Sequence, residues 1–159
     1  MPRYSPRPFP PYAFVPGRDP HPRRDPNGYA YGRPELPPPA VTVDNWSTHD
    51  DYRYGIDLYN HGYWWACHEA LEALWHVAGH TTAIGQLLQG VIQVAAGNLK
   101  RSMNVDEGAQ RLWSEALGRL APLPSPLLGV DVRAFERDAR DYAEKRRDAP
   151  AVITLGGDR

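Results

Sequence analysis

His68 and Glu72, four positions apart, carry the strongest chemical suggestion in this 159-residue sequence. On a helix, side chains at i and i+4 face the same way, so an imidazole and a carboxylate at that spacing can hold one divalent ion or act as an acid/base pair. Around such an ion Glu69, or a water-bridged carboxylate, is the candidate general base of a metal-dependent hydrolase. A hydrolytic centre also needs about three protein ligands and an open position, and here only two are well spaced. His76 lies two turns from His68. Glu72 stands where the His-Glu-x-x-His pattern needs its second imidazole. No second Glu-x-x-His motif exists to build a di-iron site. Gln89 and Gln93 are poor zinc ligands. A divalent metal is therefore the only cofactor the residues suggest, and none is required. The other reading is a polar network in which His68 and Glu72 bond each other, Asn60, Gln89, Gln93 or backbone groups, fixing helix register. The network leads; the metal site is the rival.

The stretch that holds the pair, Asn60 to Trp75, contains three of the five Trp, two of the six His and the only Cys. Phase at 100° per residue places Trp64, Cys67, Leu71, Leu74, Trp75 and Ala78 on one apolar arc of a helix from Tyr63 to Ala78, with Gly79 as its stop. His68 and Glu72 fall at the edge of the polar arc. Before it, a helix from about His49 to Asn60 is predicted, capped by Ser47 or Thr48. Its inward residues are Tyr52, Ile56 and Tyr59, and Gly62 is the left-handed break. After it, a long helix from about Thr82 to Arg101 has Ile84, Leu87, Leu88, Val91, Val94 and Ala95 on one face. Gln86, Gln89, Gln93, Gly90 and Gly97 line the opposite face. Such a stripe reads as a close, sheltered, polar contact, and an antiparallel neighbour makes His68 and Glu72 its expected partners. A fourth helix is predicted from about Val105 to Leu120, with Asn104 and Glu107 as a capping box. A fifth, capped by Asp131, runs to about Lys145. The predicted architecture is all-α, a compact bundle of about five helices. Trp64, Trp65, Trp75 and Trp113 are read as core, and Cys67 as an inert small hydrophobe.

Composition divides the chain near residue 40, because thirteen of the 17 Pro precede it. Helices and central strands are disfavoured there. Six aromatic residues in the same segment (Tyr4, Phe9, Tyr12, Phe14, Tyr29 and Tyr31) argue against a free tail and for an extended strap lying rings-down on the bundle. The expected organisation is a proline-rich segment over 1–46, a helical domain over 47–147 and a frayed end over 148–159. A net charge of −1 gives no electrostatic case for nucleic acid or an anionic membrane. No apolar run reaches the length of a membrane helix, and the N-terminus lacks a secretory h-region. One Cys excludes an internal disulfide and fits a reducing cytoplasm. Self-association stays open.

The motif Asn60-x-Gly62-x-Trp64-x-x-x-His68-Glu69-x-Leu71-Glu72-x-x-Trp75 resembles the signature of the domain-of-unknown-function 309 family. Gln89 to Ala95 resembles its second block, Asn98 through Gly108-Ala109 its third, and Gly129 to Val132 the block before its last helix. Arg7-Pro8-Phe9-Pro10 and Pro16-Gly17-Arg18-x-Pro20-His21-Pro22 resemble an N-terminal extension of some members. Two positions depart from the pattern: Cys67, where Ala is common, and Tyr29, where His is expected. The resemblance implies an all-α fold and an ordered strap. It also brings the label "predicted metal-dependent hydrolase", which names no demonstrated activity. The function expected is therefore that of a small soluble helical domain whose His/Glu/Gln cluster is structural or binds a small ligand or partner. The alternative is a hydrolase using His68 and Glu72. A third option is an interaction module built on the proline-rich strap.

Overall fold

A computed structural model describes residues 1–156. A short 3-10 turn over Trp46–Thr48 precedes five helices: α1 (Asp50–Asn60), α2 (Trp64–Ala78), α3 (Ala83–Ser102), α4 (Asp106–Leu120) and α5 (Val132–Ala143). Among the described residues there is no strand, only an isolated bridge between Leu127 and Val130. Successive helices pack side by side, and α3 lies between α2 and α4. The fold is the all-α bundle the periodicity predicts.

Helix boundaries follow local chemistry. Thr82 accepts from the Gly85 amide and Asp131 from the Ala134 amide, as their positions before apolar-periodic runs predict. Gly62 adopts φ +82° between α1 and α2, where a side chain would be strained. Two caps differ from expectation. His49, not Ser47 or Thr48, caps α1: its Nδ1 accepts from the Tyr52 amide at 3.2 Å while Nε2 meets the Pro39 carbonyl at 2.8 Å. The fourth helix has Val105 at its N-cap and no side-chain cap bond, because Asn104 turns to φ +61° instead.

The core runs the length of the bundle through Tyr52, Ile56, Tyr59, Leu71, Leu74, Leu87, Leu88, Trp113 and Leu120, each at most 1 % exposed. Burial of such side chains is the main stabilising force, about 1.5–3 kcal/mol for each large apolar group. The α3–α4 seam is unusually close. A Cβ on Gly90 would stand 2.6 Å from the Leu120 side chain, and one on Gly97 2.4 Å from the Trp113 ring. The two glycines of the α3 stripe thus admit α4, not α2.

Residues flanking the bundle also enter it. Tyr4, Phe14 and Val41 of the N-terminal segment are buried. The buried Asp57 carboxylate of α1 accepts from the Tyr4 and Ser5 amides at 2.8 and 2.9 Å and from Arg3 Nε at 3.0 Å. Phe9 stacks on Tyr63 with centroids 4.7 Å apart, and the Arg3 guanidinium lies over the Phe9 ring at 4.0 Å from its centroid. The C-terminal end, expected to fray, does not do so over its described residues. Ala151, Ile153 and Leu155 are at most 2 % exposed. The Leu155 amide donates to the Tyr4 hydroxyl at 3.1 Å, so the N-terminal segment and the described C-terminal segment meet.

Candidate functional site

The predicted site residues separate into three places. His68 and Glu72 do come together on α2, with Nε2 and Oε2 2.5 Å apart. Both side chains are more than a third exposed, so they lie at the bundle margin, as helical phase predicts. The other carboxylate oxygen of Glu72 lies 3.4 Å from His76 Nε2, one turn further on. Beyond it, His76 Nδ1 faces His80 Nε2 at 3.4 Å, and the His80 ring stacks on Trp75 at 3.6 Å between centroids. An imidazole–carboxylate–imidazole–imidazole row therefore runs along α2 into the α2–α3 corner.

Asn60 joins a different contact. Its amide nitrogen donates to the Ile153 carbonyl and its oxygen accepts from the Ile153 amide, both at 2.8 Å. It clamps the C-terminal segment to α1. The glutamines bond elsewhere than expected. Gln93 donates to Glu115 at 2.9 Å and accepts from Arg119 at 3.0 Å, while Gln86 accepts from Arg119 at 3.2 Å. The amide stripe thus bonds α4, and none of these bonds reaches His68 or Glu72. Gln89 makes no side-chain hydrogen bond among those described and is half-buried. Phase identifies a face of α3 but not the neighbour that covers it, and α4 offers the carboxylate and guanidinium that amides need.

Glu69 lies in an open cleft of about 630 Å³ between the proline-rich segment and the outer sides of α1 and α2. Trp65, Glu69 and Glu72 of α2, Tyr54 of α1, and Arg23 and Tyr29 of the segment give it its chemistry. Trp65 is held in place by Phe14 and His21, whose rings meet it edge-on at 5.2 and 5.3 Å. It is thus a cleft wall, not the core residue expected. The His21 ring is set by its own turn, accepting from the Arg23 and Arg24 amides at 3.2 Å. Arg23 reaches Glu35 at 2.9 Å and Glu69 at 3.8 Å. Its guanidinium satisfies Glu35 and only approaches Glu69.

Electrostatics single out Glu69. Burial pushes its carboxyl above the ordinary glutamate value of 4.5, and Glu72 and Glu35 push the same way while His68 and Arg23 oppose them. Burial also raises the Tyr29 phenol to about 12, so it stays neutral and able to donate a hydrogen bond at any ordinary pH. A half-buried carboxylate whose one guanidinium neighbour is held more closely by another acid, beside an aromatic wall, is the pattern of a binding position. From sequence alone Glu69 is a candidate base only beside a metal, and Trp65 is expected in the core. Arg23, Tyr29 and Glu35 meet these two residues only when the segment folds back on α2. The one signal available is the aromatic content of that segment.

No group of three or more His, Cys, Asp or Glu side chains among the described residues is arranged to hold a metal ion. The His68–Glu72 pair gains no third ligand. Fold and site together define a small all-α protein with a cleft on its α1–α2 side. Residues 52–112 match the family model described as Domain of unknown function (DUF309), which bears out the resemblance carried by the motif from Asn60 to Trp75. The match spans most of α1, all of α2 and α3, the first turns of α4 and the α2 wall of the cleft, and leaves Arg23, Tyr29 and Glu35 outside it. No curated protein matches the chain. No helix among the described residues is long and apolar enough to cross a membrane.

Proposed function

We propose that this protein is a ligand-binding helical domain and that the cleft between the proline-rich segment and α1–α2 is its binding site. The observation that carries the reading is Glu69. Its partly buried carboxyl, raised above its ordinary value by burial, lines with Trp65 and Tyr29 a concavity large enough for a small organic molecule. Four carboxylates line the cleft (Glu35, Asp51, Glu69 and Glu72) against two guanidinium groups, Arg7 and Arg23. Arg7 is engaged by Asp50 and Asp51. The balance favours a ligand that joins an apolar ring to a cationic group: the ring meets Trp65 and the cation replaces water around Glu69. His68 and Glu72 then form an exposed imidazole–carboxylate pair at the rim, and Asn60 and Gln93 hold the fold. The segment over 1–46, the helical region over 47–147 and the C-terminal end form one folding unit in this reading. A reducing cytoplasm suits the buried, unpaired Cys67.

Titration of the full chain with tryptamine, indole and indole-3-acetate, followed by calorimetry, tests the proposal. Tryptamine is expected to bind best and indole-3-acetate worst. Trp65→Ala removes binding of all three, and Glu69→Gln removes the advantage of tryptamine over indole. Binding unchanged in Trp65→Ala, or a preference for the anion, contradicts it.

A further inference from the structure

We propose that His76 and His80 form a zinc site at the α2–α3 corner, beside the His68–Glu72 pair, with which it shares Glu72, and at the edge of the cleft that His76 also lines. His76 Nδ1 and His80 Nε2 face each other at 3.4 Å. That is longer than an ordinary hydrogen bond, about 2.7–3.2 Å. It is the separation of two imidazole nitrogens on one tetrahedral zinc, where bonds of roughly 2.0–2.1 Å place the donors about 3.3–3.4 Å apart.

The rings are set for this before any ion arrives. Glu72 Oε1 lies 3.4 Å from His76 Nε2. The carboxylate favours the ring proton on Nε2 and leaves the Nδ1 lone pair directed at His80, the arrangement that supports metal-ligating imidazoles elsewhere. His80 is fixed twice over. Its ring lies flat on Trp75, 8° from parallel, and its carbonyl accepts from Gln86 Nε2 at 2.6 Å. Little ordering entropy then opposes binding.

Both histidines are exposed, so an ion can enter and water can take the two remaining tetrahedral positions. Neutral imidazole donors suit zinc and its transition-metal neighbours, and not calcium or magnesium, which take oxygen. With two protein ligands the site is weaker than a closed structural zinc centre. The open positions can also accept a donor atom from another molecule.

The test uses the full-length chain, stripped of metal, with Zn²⁺ added at neutral pH while the imidazole ¹⁵N resonances and the heat of binding are recorded. One ion per chain is expected, with large shifts at His76 Nδ1 and His80 Nε2 and none at His68. His76→Ala and His80→Ala, each checked for a native helical spectrum, are expected to weaken binding at least tenfold, and His68→Ala to leave it unchanged. The ¹⁵N readout on the unmutated chain stands whether or not a variant folds. Absence of zinc binding, shifts centred on His68, or binding that survives both histidine substitutions overturns the proposal.

Discussion

The two helices α1 and α2 carry polar groups of opposite kinds. On α1, Asp57 is fully buried and saturated: two backbone amides and the Arg3 guanidinium reach it within 3.0 Å. Asn60 is likewise used at both ends of its amide. On α2, Glu69 is 35 % exposed and its closest cation is 3.8 Å away. A buried polar group stabilises a fold only when its bonds are complete. The α1 side chains meet that condition and tie both ends of the chain to the bundle. On the α2 face Glu72 is engaged only by exposed imidazoles and Glu69 only by Arg23 at 3.8 Å, so these groups contribute little to stability and stay accessible to a ligand.

Breaking an α1 anchor is expected to cost most. Asp57→Ala leaves the Tyr4 and Ser5 amides and Arg3 without their acceptor, a loss of about 3 kcal/mol read as a fall in the urea midpoint. It should also release the segment over the cleft, so the same variant is expected to lose tryptamine binding. Asn60→Ala removes two hydrogen bonds to Ile153. It should cost about 2 kcal/mol and expose the amides of residues 151–155 to hydrogen exchange. His68→Ala breaks only a pair more than a third exposed on both sides, so a loss of less than about 1 kcal/mol is expected. A collapse of the melting temperature in that variant would erase the contrast between the two helices.

The smallest effect has the most informative sign. The Glu69 carboxyl sits above its ordinary value in the folded chain. Its contribution to stability is therefore full at low pH and is lost as pH rises through the folded value, leaving a charged, poorly solvated group at neutrality. Glu69→Gln should raise the melting temperature by about 1–2 °C at pH 7, with the gain shrinking below pH 4.5. Asp50 behaves oppositely. A hydrogen bond from Ser5 and then the Arg7 guanidinium hold it below its ordinary value. Its contribution is present at neutral pH and is lost as acid titrates the depressed carboxyl. A melting curve recorded against pH for the native chain and Glu69→Gln separates the two.

Much of the bundle is legible from periodicity and punctuation. The apolar arcs, Gly62, Gly79, Thr82 and Asp131 place the helices to within a residue or two. His49 escapes because an imidazole seldom caps a helix, and it does so here only with Pro39 to hold its second nitrogen. The C-terminal strap escapes because Ala151, Ile153 and Leu155 give a period-two signal only three residues deep, too short to weigh against the polar run before it. The pairing of His68 with Glu72 is readable from their spacing. The cleft is not, since Trp65 and Glu69 meet Arg23 and Tyr29 across some 40 residues of chain and only through tertiary folding.

The central claim is that the exposed α2 face beside the proline-rich segment is a binding surface, and the indole N–H resonances test it most directly. The chain has five Trp, of which Trp65 alone lines the cleft. Addition of tryptamine to the ¹⁵N-labelled full chain is predicted to shift the Trp65 indole N–H and leave that of the buried Trp113 in place. A shift at Trp113 with none at Trp65, or no shift at any of the five, would contradict it.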